Sequence, residues 1–417
     1  MEKKIVFTIV AKNYLPLARA LGWSLREHNK TPIEFIIFLA DEEDGLVQRE
    51  EGETIIPVSS LGIENLNDWA FKYNVTEFCT SVKPSCFKYL FSHLEADSAI
   101  YFDPDIFVFS DLTPIFKNLE EKDIVVTPHY ITPQVEYGGV QKEQDTLFVG
   151  IFNFGFIAFK NVAENVLILD WWENRLSNQC YADKQDALHT DQKWGDFLPV
   201  FAGERLCISK SIGYNLAPWN VFEREILIDE GKFWVKNRLT EKVEPLVFVH
   251  FAGYDPENLS LIHKDFWSLK ITDFPDYDLV RSIYFNKTSE FNFLESRKIT
   301  YTYSQYSNGI FIQDVHRRLY RALTENGHKL DDPFNAELRF YQILFKNKMI
   351  DQSKPIKSNS KTLPNFSERL NAVKKILKLG YKVLGFKKYF LLMKLLNRYT
   401  RSENQVFLIG ENIDKIY

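Results

Sequence analysis

Two near-continuous apolar runs, KIVFTIVA at 4–11 and IEFIIFLA at 33–40, flank a stretch of helical spacing from Leu15 to His28. A run without polar alternation is what a strand covered on both faces looks like. Strand, helix, strand is a βαβ unit with a right-handed crossover, so the chain is committed to an α/β fold with a mostly parallel sheet. The turn after the first run reads AKNYLP and lacks the glycine-rich dinucleotide fingerprint, which counts against nicotinamide or flavin chemistry.

The next strong signal is SAIYFDPDIFVFSDL at 98–112. Asp103, Pro104 and Asp105 separate two apolar runs and fall at the carboxyl end of a strand, the edge where open α/β sheets bind ligands. Pro104 removes a donor and turns the backbone. Two carboxylates so placed suit Mg2+ or Mn2+, which prefer oxygen ligands and share their shell with substrate phosphates. An Asp-Pro-Asp turn capping a loop fits the same residues.

Four further blocks follow a consistent order. Lys83 and Lys88 lie on a helical segment at 76–94, interrupted at Pro84. GIFNFGFIAFKN (150–161) is an apolar strand carrying Asn153, whose buried amide needs a partner, and Gly155, which permits close backbone approach. HTDQKWGDFL (189–198) carries Asp191 and Gln192, with Asp191 equally placed to N-cap a helix at 192–200. LVFVHFAGYDP (246–256) ends a strand with His250 and then Gly253.

In this order the blocks resemble GT-A-fold, nucleotide-sugar-dependent glycosyltransferases. The likeness is strongest to retaining enzymes related to glycosyltransferase family 8, and to a bacterial group that builds surface polysaccharide. The resemblance covers residues 1–270, weakening to about 325. It implies a Rossmann-like, mostly parallel sheet with a helical C-terminal extension. It further implies that Thr8, Ala11 and Tyr14 contact uracil and ribose, and that Lys83 and Lys88 face the diphosphate. Phe102 to Asp105 would line the donor site, with Asp103, Asp105 and His250 holding Mn2+ or Mg2+. Asn153 and Gly155 would face the donor sugar, Asp191 and Gln192 would lie beneath it as the catalytic pair, and Gly253 would complete the donor site. The implied partners are a UDP-sugar and a glycan or lipid-linked saccharide acceptor, with transfer by retention. An inverting enzyme with Asp191 or Asp196 as base, or a sugar nucleotidyltransferase, is the alternative. In the family a lysine often follows three residues after the glycine; here that position is Pro256, leaving Lys264 or another cation for the task.

Other segments are less specific. SKSIGYNLAPWNVFERE (209–225) offers Tyr214, Asn215, Trp219 and Asn220, residue types that suit either a carbohydrate or a buried loop. Residues 131–147 read as a long loop, and 164–178 as a helix placing Leu167, Leu169, Trp171 and Trp172 on the sheet. Beyond a connector at 271–350 and a linker at 351–367, the tail 368–417 stands apart. Its residues 369–401 hold ten Lys or Arg and no Asp or Glu. Leu370, Val373, Leu377, Leu384, Leu391 and Leu395 recur at helical spacing away from Lys374, Lys375, Lys378 and Lys382. That is a basic amphipathic helix or helix pair, suited to an anionic membrane surface or to packing on the catalytic domain.

The net charge of −5 offers nothing to nucleic acid. Cys79, Cys86, Cys180 and Cys207 show no metal-type spacing and are expected as reduced thiols. The first run is too short for a signal peptide and no run reaches the ~18 apolar residues of a spanning helix. The expected location is cytoplasmic, peripheral on the inner face of the membrane.

Overall fold

A computed structural model describes residues 2–30, 32–139, 141–266, 268–351 and 365–410. The expected linker at 351–367 lies largely outside the described residues. In chain order the strands are β1 (Lys4–Val10), β2 (Glu34–Leu39), β3 (Thr54–Pro57), β4 (Ser98–Phe102), β5 (Ile106–Val108) and β6 (Ile124–Pro128). They continue with β7 (Phe152–Lys160), β8 (Leu206–Ile208), β9 (Arg224–Asp229), β10 (Lys232–Asn237), β11 (Val243–Pro245) and β12 (Phe248–His250). The helices begin with α1 (Leu15–His28), α2 (Leu66–Lys72), α3 (Val75–Ser81), α4 (Lys83–Ser92), α5 (Thr113–Glu121) and α6 (Glu143–Val149). After them come α7 (Ala163–Gln179), α8 (Leu198–Ala202), α9 (Pro275–Glu290), α10 (Phe293–Ser296), α11 (Asp314–Glu325), α12 (Arg339–Lys346) and α13 (Phe366–Tyr399).

These elements form two compact units. The first comprises residues 1–64 and 75–302. Its main sheet has the order β3-β2-β1-β4-β7-β6-β8, with β3, β2, β1 and β4 parallel, β7 reversed, and β6 and β8 parallel to each other. This is the mostly parallel α/β sheet that the opening apolar runs require. Ile5, Val6, Phe7, Ile9 and Val10 of β1 are all buried, as a strand covered on both faces must be.

Three expectations need correction. The first unit does not end near 270, because α9 and α10 belong to it. Tyr277, Val280, Tyr284 and Phe293 join Phe107, Leu216 and Phe251 in one core, the helical i, i+3, i+7 spacing of α9 supplying the stripe. The segment read as a loop at 131–147 contains the start of α6. Leu167 on α7 is 70% exposed while Leu169 and Trp172 are buried, since residues two apart on a helix cannot share a face.

The second unit comprises residues 65–74 and 303–417. Phe71 of α2 is fully buried there among the rings of Tyr306, Tyr320, Phe334 and Phe340, with centroids 4.9–5.9 Å away. The HRRLYRAL stretch of α11 is built into this core. Arg317 donates to the carbonyls of Ala70, Phe71 and Tyr303, and Arg321 pairs with Glu403 at 2.7 Å. Removing a ring so enclosed leaves a cavity as well as lost burial. Phe71→Ala is therefore expected to destabilise this unit by about 3–5 kcal/mol, measured by urea unfolding.

The tail resolves into the helix-pair alternative. Gly385 (φ 70°, ψ 173°) breaks α13, and the rings of Tyr381 and Tyr389 meet across the break at 5.4 Å. No residue of α13 is buried. Among the described residues no helix is long and apolar enough to cross a membrane.

Candidate active site

Strand register assembles the site. β4 pairs with β7 in antiparallel fashion with Phe102 opposite Phe156, so the next residue, Asp103, donates its backbone N–H to the Gly155 carbonyl at 2.8 Å. The Ile106 N–H closes the Asp-Pro-Asp turn on the Asp103 carbonyl at 3.0 Å. β5 then pairs with β12, setting His250 opposite Ile106. The Phe251 N–H reaches the Asp105 carbonyl at 2.8 Å, fastening the distant strand to the turn. Three side chains from two remote parts of the sequence therefore converge.

His250 Nε2 lies 3.1 Å from Asp105 Oδ1 and 3.6 Å from Asp103 Oδ2. One ligand atom from each of the three residues falls within 4.8 Å of the others. The Asp103 and Asp105 side chains keep 29% and 22% of their surface exposed, so the cluster opens to solvent. The imidazole tautomer follows from its neighbours. The Gly155 N–H, which can only donate, points at Asn153 Oδ1 at 3.2 Å. That oxygen is 3.2 Å from His250 Nδ1, so Nδ1 carries a hydrogen and Nε2 is the atom turned to the carboxylates. Whatever occupies that space must be positive, either a proton or a divalent cation. Two carboxylates and one imidazole nitrogen suit Mn2+ or Mg2+ as a donor set.

The electrostatics agree. Desolvation pushes the Asp103 carboxyl above its ordinary value, against the pull of Lys83 and His250. On Asp105 desolvation also acts upward, but the charge and hydrogen bond of His250 hold it below the ordinary value. Burial works against a proton on His250, yet Asp105 and Asp103 outweigh it and raise the imidazole.

A buried network lies behind the cluster. The Tyr101 hydroxyl donates to Asp103 Oδ1 at 2.5 Å. Lys83, only 1% exposed, sits 4.0 Å above the Tyr101 ring, bonds the Phe154 carbonyl at 2.8 Å and pairs with Asp191 Oδ2 at 2.5 Å. Lys83 is thus engaged by a carboxylate inside the protein, not presented to a diphosphate. Asp191 stands at the N-cap position, but its side chain makes no capping hydrogen bond. Its backbone is helical (φ −72°, ψ −32°), the segment 192–197 is 3-10, and its carboxylate turns to Lys83 and the Thr190 hydroxyl. Gln192 Oε1 accepts from Asn153 Nδ2 at 3.2 Å and from the Phe154 N–H at 3.1 Å, while its Nε2 donates to the Val149 carbonyl.

Other candidate residues fall elsewhere. Thr8 is fully buried within β1 and its hydroxyl has no hydrogen-bond partner, so it is closed to a ligand by the covering of that central strand. Ala11 and Tyr14 do lie at the carboxyl end of β1, beside β4, and Tyr14 is half-exposed with its ring edge on Phe293. Lys88 is drawn to Asp170 and Glu173 of α7, each at 2.7 Å, and does not reach the cluster. Phe102 is buried against Phe156 and Phe248, leaving only its backbone for the site. Pro104 is partly exposed between the two acids. Gly253 has φ +68°, and a Cβ there would meet the His263 ring at 2.3 Å, so no other residue fits. The 209–225 stretch is mainly a buried loop: Tyr214 stacks on Phe248, and Asn220 bonds the His129 and Asn215 carbonyls. Its Trp219 does reach the site, edge-on to His250 at 5.2 Å. The Lys83–Asp191 pair and the Asn215 contact to Asn153 were not read from sequence; both join segments with no local signal linking them.

No protein-family model matches the chain. Among curated proteins, the uncharacterized protein YfnF of Bacillus subtilis (strain 168) is 26% identical over 251 residues, 59% of this chain and 80% of YfnF. Among solved structures, the galactosyltransferase LgtC in complex with donor and acceptor sugar analogs aligns with 69% of this chain and 95% of its own, at 18% identity and TM-score 0.42. Mouse xyloside xylosyltransferase 1 in its apo form aligns with 60% of this chain and 97% of its own, at 12% identity and TM-score 0.38.

Proposed function

We propose that this chain is a metal-dependent glycosyltransferase of GT-A architecture. It moves a sugar from a nucleotide-diphospho-sugar, with UDP as the nucleotide, to a hydroxyl of a glycan or lipid-linked saccharide in bacterial surface polysaccharide synthesis. The observation that carries the reading is the convergence of Asp103, Asp105 and Nε2 of His250 at the strand ends. These three residues would hold Mn2+ or Mg2+, which when bound offsets negative charge on the departing nucleoside diphosphate. Lys264 is exposed and forms no ion pair among the described residues, and its charge is felt at Asp105. It fills the role of the cation that Pro256 withholds.

Retention is favoured over inversion. An inverting enzyme needs a free carboxylate as base on the far face of the sugar, whereas Asp191 is held by Lys83. Asp196 is held by Lys193 at 2.7 Å and by the Ile151 N–H at 3.0 Å. The test is a panel of nucleotide sugars with Mn2+ or Mg2+, followed by nucleotide release and by NMR of the product's anomeric configuration. One donor is expected to be hydrolysed slowly with metal and not without it. Pyrophosphate release from a nucleoside triphosphate and a sugar phosphate would favour a nucleotidyltransferase instead.

The α13 pair is the proposed seat of peripheral attachment to an anionic membrane. Each cation near such a surface contributes about 1 kcal/mol, screened over about 10 Å at 0.1 M salt. The full chain is expected to float with phosphatidylglycerol vesicles at low salt and not with phosphatidylcholine vesicles. Substituting Lys374, Lys375, Lys378 and Lys382 by Gln should weaken flotation without altering donor hydrolysis.

A further inference from the structure

We propose that Asn153 positions the histidine of the metal centre, and that Asn215 holds Asn153 in that pose. The inference rests on the metal-centre reading above and deepens it. Asn153 is 7% exposed and its amide is engaged inside the protein. Its Oδ1 faces the Gly155 N–H at 3.2 Å, Asn215 Nδ2 at 3.1 Å and His250 Nδ1 at 3.2 Å. Its Nδ2 donates to Gln192 Oε1 at 3.2 Å. Three donors surround its carbonyl oxygen, and one of the two Nδ2 hydrogens is directed to Gln192.

The orientation is set by a chain of one-way donors. The Gly155 backbone fixes which end of Asn153 is the oxygen. That oxygen then requires an N–H from Asn215 and an N–H from His250 Nδ1. Asn215 is fully buried, adopts a left-handed backbone (φ +54°) and also reaches Thr127 Oγ1 at 2.9 Å with the same Nδ2. Both hydrogens of that amide nitrogen are therefore directed, one toward Thr127 and one toward Asn153. The imidazole is confined on its other sides as well. A Cβ at Gly155 would lie 2.3 Å from its Cε1, and the Trp219 ring stands edge-on to it. Partners that fix the second nitrogen of a ligating histidine orient it and raise its basicity, and their loss costs 10–100-fold in metal affinity. Asn153 and Asn215 are positioning residues in this sense.

The experiment uses the full chain and Mn2+ alone, with binding followed by EPR of the free ion and the histidine tautomer by 15N–1H correlation in 15N-histidine-labelled, metal-free protein. Wild-type His250 is expected to hold a hydrogen on Nδ1 against Asn153 Oδ1. Asn153→Ala and Asn215→Asp should each bind Mn2+ about 10–100-fold more weakly and lose the protected Nδ1–H signal. Asn215→Asp sets an acceptor against the Asn153 oxygen with little change of volume. Asn153→Asp keeps an acceptor for Nδ1 and should recover most of the affinity. Unchanged Mn2+ affinity and tautomer in folded Asn153→Ala, with a raised KM for the donor alone, would overturn the proposal and return Asn153 to the sugar. Wild-type protein that hydrolyses a donor but binds no Mn2+ would overturn it together with the metal centre.

Discussion

Asp105→Asn is expected to cut donor turnover by about three orders of magnitude while leaving the fold intact. The substitution removes a full charge from the three-residue cluster and turns one of its oxygens into an NH2, which cannot ligate a cation. Groups that stabilise charge developing in a transition state are individually worth about 10²–10³ in rate, and loss of the ion removes Lewis-acid assistance as well. Stability should fall only modestly, because the loss of the His250 contact that holds the Asp105 carboxyl below its ordinary value is partly offset by relief from the like charge of Asp103. Steady-state hydrolysis of the preferred nucleotide sugar at saturating Mn2+, set beside a urea unfolding curve, checks both halves. Turnover within a few-fold of wild type would remove the acidic pair from the chemistry.

Lys83→Met should act in the opposite way, on stability first. Lys83 and Asp191 are 1% and 3% exposed, so removing the cation strands a carboxylate in the interior. Breaking one side of such a pair typically costs about 3–5 kcal/mol, most of it the cost of the uncompensated charge. The double variant Lys83→Met/Asp191→Leu is expected to regain much of that loss, since a well-packed apolar pair often matches a buried ion pair. Urea unfolding of wild type, both single variants and the double variant completes the cycle. A Lys83→Met protein as stable as wild type would mean that the pair is solvated.

The parts of the fold that were legible are those written locally. The apolar runs at 4–11 and 33–40 gave β1 and β2 because a doubly covered strand has no other way to look. The Asp-Pro-Asp turn was legible for the same reason, with strands on either side of three adjacent residues. His250 was different: a histidine ending a short strand says nothing of its neighbours, and only the β5–β12 register sets it against the acids. Lys83 illustrates the limit. The sequence placed it within a helical segment at 76–94 broken at Pro84, whereas it opens α4, and its direction depends on Asp191, more than a hundred residues later, which draws it inward. Thr8 was hidden by the same sheet that made β1 easy to find. The insertion of 65–74 into the second unit carried no compositional mark either, since Phe71 reads as an ordinary apolar residue until Tyr306 and Tyr320 surround it.

The pairing of β5 with β12 also bears on the order of events during synthesis. The turn bearing both acids leaves the ribosome long before the strand bearing the imidazole, and closing so wide a loop is among the slower and entropically dearer steps of folding. A half-made chain has the two carboxylates without the imidazole. The three-residue cluster is complete only once β12 has paired with β5.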